Sequence, residues 1–103
     1  MNELIDQDLN DFVKFHYKVF VMFGNSDCDS CTLFKSTIQR ISKKYKDITF
    51  IYIDLTTFSF ENTYFPINEI PAFGGYVDGI LITNSTGGHI NNVENIIKII
   101  NNG

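Results

Sequence analysis

Ser26-Asp27-Cys28-Asp29-Ser30-Cys31-Thr32 holds both cysteines of the chain, with two residues between them. A strand-like run, Lys18 to Phe23, precedes this stretch, and a helical pattern from Thr32 to Lys46 follows it. A Cys-x-x-Cys at a strand-to-helix junction reads as a dithiol/disulfide redox site. Cys28 falls at the helix N-terminus, where free N–H groups and the positive end of the helix dipole favour a thiolate, the nucleophilic form. Cys31 sits one turn further in, placed to attack a mixed disulfide made by Cys28. Two other uses of the pair need weighing. A zinc site needs two more ligands, and the only histidines, His16 and His89, lack ligand-like spacing to the pair. An inert structural disulfide is the other, but a loop this short constrains little of the unfolded chain.

Working outward, Val19-Phe20-Val21-Met22-Phe23 is apolar without alternation, as expected of a strand buried on both faces. Gly24-Asn25-Ser26 breaks it, and Asp27 is available to cap the next helix. That helix carries Cys31, Phe34, Ile38, Ile41 and Tyr45 at spacings of three and four, one apolar stripe. Cys31 therefore belongs to the buried face and Cys28 to the tip. Upstream, Leu4-Ile5 reads as a short strand, and Asp8 caps a helix whose apolar face is Leu9, Phe12, Val13 and Phe15. Downstream, Ile48 to Asp54 is a second central strand. Thr57 to Tyr64 reads as a short helix with Phe58 and Phe60 inward, interrupted by Phe65-Pro66. Ala72 to Val77 and Ile80 to Thr83 form a hairpin on the two-residue turn Asp78-Gly79, with Gly74-Gly75 a bulge or thin spot inside it. Asn84 to Gly88 is a loop, and Val93, Ile96, Ile97 and Ile100 mark one face of a last helix. The order β-α-β-α-β-α-β-β-α implies an α/β fold, a mixed sheet of four to five strands with helices on both faces.

Composition bounds the function. At 103 residues with 44% apolar content, residues 1–103 are read as a single domain able to bury a core. A net charge of −4 and no basic patch argue against nucleic acid as a partner. No apolar run approaches a membrane span, and the acidic start Met1-Asn2-Glu3-Leu4-Ile5-Asp6 lacks a signal-peptide core. The expected location is the cytoplasm, where isolated cysteine pairs tend to be catalytic.

With these elements in order, the chain resembles thioredoxin over nearly its whole length. The resemblance rests on Cys28-Asp29-Ser30-Cys31 after a strand ending in an aromatic, and on Ile53-Asp54 closing the next strand. It rests also on Ile70-Pro71, forty residues past the second cysteine, on Asp78-Gly79, and on a glycine at Gly87 or Gly88. Glutaredoxins fit less well, because they carry their cysteines near the start of the chain and a Gly-Gly pair closer behind the proline. The resemblance implies a thioredoxin fold and thiol–disulfide exchange, with Cys28 attacking and Cys31 resolving. It also implies a cis-proline at Pro71 and a backbone at Ile70 that pairs with an extended substrate segment. The partners implied are disulfide-containing proteins and a thioredoxin-reductase-like electron donor. The enzyme is expected to be a monomeric protein-disulfide reductase without metal or organic cofactor. A weak oxidase or isomerase is an alternative, because the dipeptide between the cysteines tunes redox poise. A redox-inactive interaction module of the same fold is another.

Three positions depart from the family pattern. Asp29-Ser30 replaces Gly-Pro between the cysteines, Asp27 replaces a tryptophan before the first, and Met22 replaces a buried aspartate six residues before it. In the family that aspartate is thought to handle the proton of the resolving cysteine, which Met22 cannot do. Asp27, Asp29 and Glu69, with Ser30, are read as the environment of Cys28, the three acids as an acidic rim. Their charge disfavours a thiolate while the helix terminus favours one. Capping and solubility account for Asp27 and Asp29 as well as a substrate-selecting role does.

Overall fold

The computed structural model describes residues 1–5, 7–57 and 67–103 and builds its sheet around the strand Lys18–Gly24, β2. β1 (Asn2–Glu3), β3 (Thr49–Asp54), β4 (Ala72–Val77) and β5 (Ile80–Thr86) complete five strands in the order β1-β3-β2-β4-β5. β1 and β2 both run parallel to β3, whereas β4 is antiparallel to β2 and β5 to β4. Helices α1 (Leu9–Lys14), α2 (Asp29–Ser42) and α3 (Ile90–Asn101) accompany them. This is the thioredoxin fold. The helix expected over Thr57 to Tyr64 and the break at Phe65-Pro66 fall, apart from Thr57, outside the described residues.

Successive side chains of a strand point to opposite faces, so a run buried on both sides feeds two cores. Val19, Val21 and Phe23 join Leu9 and Val13 of α1, with Ile51 and Ile53 of β3. Phe20 and Met22 join Ile38 of α2 and Val93, Ile96, Ile97 and Ile100 of α3, with Phe50, Tyr52 and Phe73. Each such large apolar side chain contributes about 1.5–3 kcal/mol when fully buried. The parallel register sets Met22 beside Tyr52, both on the α2 and α3 side.

The structure moves several boundaries. β1 lies at Asn2–Glu3 rather than Leu4-Ile5. Leu4 extends the edge by donating its N–H to the Tyr52 carbonyl at 2.8 Å and turns inward, while Ile5 is exposed. α1 is capped by the Asp8 carboxylate, which accepts from the N–H groups of Asn10 and Asp11, but it stops at Lys14. Phe15 is thereby left 82% exposed and is not part of the apolar face. α2 starts at Asp29 and ends at Ser42, earlier at both ends than its apolar stripe suggests. β5 runs on to Thr86, because Ala72 pairs with Thr86, so most of the loop expected over Asn84 to Gly88 is strand.

The hairpin turn has φ of 53° at Asp78 and 79° at Gly79, the left-handed pair that a two-residue turn of right-handed twist requires. The register slips between Gly75 and Tyr76, a bulge. Gly75 is also a thin spot, since a Cβ there would lie 2.8 Å from Thr83 Cγ2 and 2.9 Å from Ile100 Cγ1. α3 thus packs directly on the β4 backbone. Gly75→Ala should cost about 1–3 kcal/mol of stability through overpacking, read as a lower urea midpoint at unchanged slope. An unchanged midpoint would show that Ile100 gives way without strain.

Candidate redox site

The site lies where β2 ends and α2 begins. The Gly24 carbonyl accepts the Leu55 N–H at 2.8 Å, which ties off β2 beside β3. Asn25 Oδ1 then accepts the Asp27 N–H at 2.9 Å, and the Asn25 carbonyl accepts the Cys28 N–H at 3.4 Å. These turns deliver Cys28 with extended backbone, φ −104° and ψ 108°, at the N-cap of α2, just before its first residue Asp29.

Asp27 does not cap α2, contrary to the sequence expectation. Cys28 is itself the N-cap residue, and its Sγ accepts the Cys31 N–H at 3.1 Å. Asp27 comes one residue too early for its carboxylate to take that place and is exposed. Ser30 Oγ lies 3.4 Å from Cys28 Sγ, within hydrogen-bonding reach of the sulfur. Asp29 opens the first turn, an acid at the positive end of the helix.

Cys28 and Cys31 are joined as a disulfide. Cys28 is half-buried, while Cys31 is 2% exposed in the cluster that holds Met22, Tyr52 and Phe73. Cys28, Phe34 and Ile70 pack on that same cluster from outside. The Ile70–Pro71 peptide bond is cis. The Pro71 carbonyl accepts the Gly87 N–H at 2.8 Å, and a Cβ on Gly88 would touch both the Phe34 ring and Pro71 Cδ. The Pro71 corner is therefore seated against the first turns of α2. Glu69 is exposed, and its carboxylate lies against Gly87, on the Pro71 side of the site. Asp27 and Asp29 flank Cys28 in sequence and are both exposed.

Behind the disulfide is a recess of about 260 Å³, lined among others by Cys31, Lys35, Tyr52 and Asp54. Lys35 Nζ sits 4.3 Å from the centre of the Tyr52 ring. Burial, then the charges of Asp54 and Glu3, push the Tyr52 phenol above its usual range. Sequence reasoning passed over Tyr52. The available signal was a tyrosine in an otherwise apolar run, two residues before Asp54. Among the described residues no group of three or more His, Cys, Asp or Glu could hold a metal ion, and no helix is long and apolar enough to cross a membrane.

A strand-to-helix thiol pair beside an X-Pro corner, on a mixed sheet of this order, defines a thioredoxin-fold protein with a redox-type cysteine pair. The family model described as Thioredoxin matches residues 1–102, and the chain belongs to that family. Among solved structures it is similar to a thioredoxin of Plasmodium falciparum, with TM-score 0.85 and 19% identity over 96% of this chain and 98% of that one. A reduced Schistosoma mansoni thioredoxin pre-protein gives TM-score 0.84 and 25% identity, covering 96% of each chain. A thioredoxin f2 solved in complex with ferredoxin:thioredoxin reductase gives 0.84 and 18%, covering 95% of this chain and 92% of that one. No curated protein matched. Fold, family and cysteine pair together support thiol–disulfide oxidoreductase activity.

The charge beside Cys28 is testable. Asp29→Asn removes an anion on the residue next to Cys28, so the pH midpoint for Cys28 alkylation should fall by a few tenths of a unit, on the order of a surface charge effect. Glu69→Gln should act in the same direction. High salt should shrink both differences. Unmoved midpoints would reduce these acids to capping and solubility.

Proposed function

We propose that this chain is a protein-disulfide reductase of thioredoxin type. The observation that carries the reading is the asymmetry of the two sulfurs. Cys28 Sγ is half-buried and already receives the Cys31 N–H at the helix terminus, whereas Cys31 is almost fully buried behind it. The outer sulfur suits attack on a substrate disulfide, and the inner one suits resolution of the mixed disulfide that results. Two donors, the helix N-terminus and the Ser30 hydroxyl at 3.4 Å, would stabilise a Cys28 thiolate.

The substrates in this reading are disulfide-bearing proteins that lay an extended segment along Ile70 and Pro71. Electrons come from a thioredoxin-reductase-like partner, a reading supported by the thioredoxin f2 solved with its reductase. The protein acts as a monomer in the cytoplasm and needs no metal or organic cofactor.

The deciding measurement is reduction of insulin coupled to a thioredoxin reductase. Wild type should turn over, and Cys28→Ser should fall to background. Cys31→Ser should trap mixed disulfides that Cys28→Ser does not form. Iodoacetamide should label Cys28 of the reduced protein well before Cys31. Equal activity of wild type and Cys28→Ser would leave only an interaction module. A pair that oxidises substrates but fails to reduce them would make the protein an oxidase or isomerase.

A further inference from the structure

Gly24 marks a convergence of three groups. The place its Cβ would take is 3.1 Å from Cys31 Sγ, 3.1 Å from Cys31 Cβ and 3.1 Å from the Tyr52 hydroxyl oxygen. Sulfur and phenol oxygen are therefore no further apart than twice that distance, across a space kept open because residue 24 has no side chain. Both line the recess behind the disulfide, together with Asn25, Ser26, Thr32, Lys35 and Asp54. Elsewhere Cys31 is held by apolar groups, Met22 and Phe73 among them, and the described core contains no buried charged residue.

A buried thiol surrounded this way is poorly placed to ionise, because its anion loses hydration and gains nothing in return. We propose that the Tyr52 hydroxyl is the hydrogen-bond donor to the Cys31 thiolate, and thereby sets the rate at which Cys31 resolves the mixed disulfide. This rests on the exchange reading above. In the step, Cys31 loses its proton to water in the recess and its sulfur attacks Cys28 Sγ. The Cys28–Cys31 bond forms and the bond from Cys28 to the substrate sulfur breaks. The electron pair leaves on the substrate sulfur, which takes up a proton and is reduced to a thiol, while Cys31 is oxidised from thiol to disulfide and Cys28 stays at the disulfide level throughout. Tyr52 donates a hydrogen bond throughout and keeps its own proton. Burial and the anionic Asp54 and Glu3 hold that proton in place at neutral pH.

The recess supports the assignment in two further ways. Lys35 lies one turn beyond Cys31 on α2 and holds its cation over the Tyr52 ring, fixing the ring from the solvent side. The charged groups facing the sulfur and the phenol are thus Lys35 from α2, Asp54 from β3 and Glu3 from β1. One oxygen of Asp54, Oδ1, accepts from the Thr56 N–H at 2.9 Å and the Thr56 hydroxyl at 2.7 Å. Met22, beside Tyr52 on the neighbouring strand, has no hydrogen-bond donor in its side chain. The polar group for Cys31 therefore comes from β3 and not from β2.

Tyr52→Phe deletes one oxygen and keeps the ring. Reduced protein is mixed with limiting dithionitrobenzoate, whose two coloured thiolates leave in turn, and the mixed disulfide is followed by acid quench and mass spectrometry. Wild type should show a fast first release, proportional to reagent, and a second release independent of it. In Tyr52→Phe the first should stay within about twofold, while the second slows about tenfold, the loss expected for a hydrogen bond to a charged group. Its pH midpoint should rise by about one unit, and the mixed disulfide should accumulate. Gly24→Ala keeps both groups but sets a methyl between them, and should slow the second release in the same direction even where Tyr52→Phe fails to fold. If both releases occur in wild type and neither variant changes the second or its pH profile, Tyr52 has no such role. If wild type shows no thiolate release at all, the exchange reading itself falls.

Discussion

Two-sided burial of β2 is the constraint on which the rest depends. A strand that feeds one core with Val19, Val21 and Phe23 and another with Phe20 and Met22 cannot slip by a residue without inverting both sets. Its register with β3 and β4 is therefore fixed, and so is the point at which it stops. Gly24 ends the strand with its carbonyl bonded to Leu55, and the chain has only Asn25 to Asp27 in which to reach α2. The position of Cys28 follows from where a buried strand terminates and how few residues remain before the helix begins. The site takes its position from the core, and the turn at Asn25 sets the helix start within it.

The central elements were legible because their signals are of long range. Five apolar residues in a row, a stripe at spacings of three and four, and an Asp-Gly between two strand-like runs each have one economical solution. The ends of elements were less legible, since they are decided by partners distant in sequence. β1 lies earlier than expected because Asn2 and Glu3 pair with β3, while Leu4 turns its side chain into the core and Ile5 is exposed. β5 was underestimated because its last residues are held by Ala72 and Phe73 across the hairpin, which a local pattern cannot reveal. At Gly74-Gly75 the sequence suggested a bulge or a thin spot, and the structure has both, the second owed to Ile100 from the far end of the chain.

At the site, residue types were readable and roles at the helix tip less so. Aspartate is a far commoner cap than cysteine, so Asp27 was the natural choice. The turn built on Asn25 places Cys28 at the cap position instead, and its sulfur takes the Cys31 N–H. A capping sulfur has a chemical consequence that a capping carboxylate lacks. The donor a Cys28 thiolate needs is aimed at Sγ while the disulfide is still intact, so opening the bond requires little reorganisation there. Asp27 and Asp29, neither of which caps the helix through its side chain, are exposed on either side of Cys28 in the chain.

The inner sulfur poses the opposite problem, and three positions on three segments bear on it together. Met22 shares the apolar cluster that holds Cys31, Tyr52 brings a hydroxyl to the recess that Cys31 lines, and Gly24, having no side chain, leaves open the space between that hydroxyl and the sulfur. No one of these is informative alone. A methionine in a buried strand, a tyrosine in the next and a glycine at a strand end are ordinary residues in ordinary places. The β2–β3 register joins them by setting Met22 beside Tyr52 and Gly24 beside Asp54. A side chain at residue 24 would close the gap, and a phenylalanine at 52 would leave it with nothing to donate. In a low-dielectric site a hydrogen bond strengthens when its acceptor becomes an anion. On the proposed role of Tyr52, the surroundings of Cys31 would in this sense be matched to its ionised form, the state that a resolving thiol must pass through.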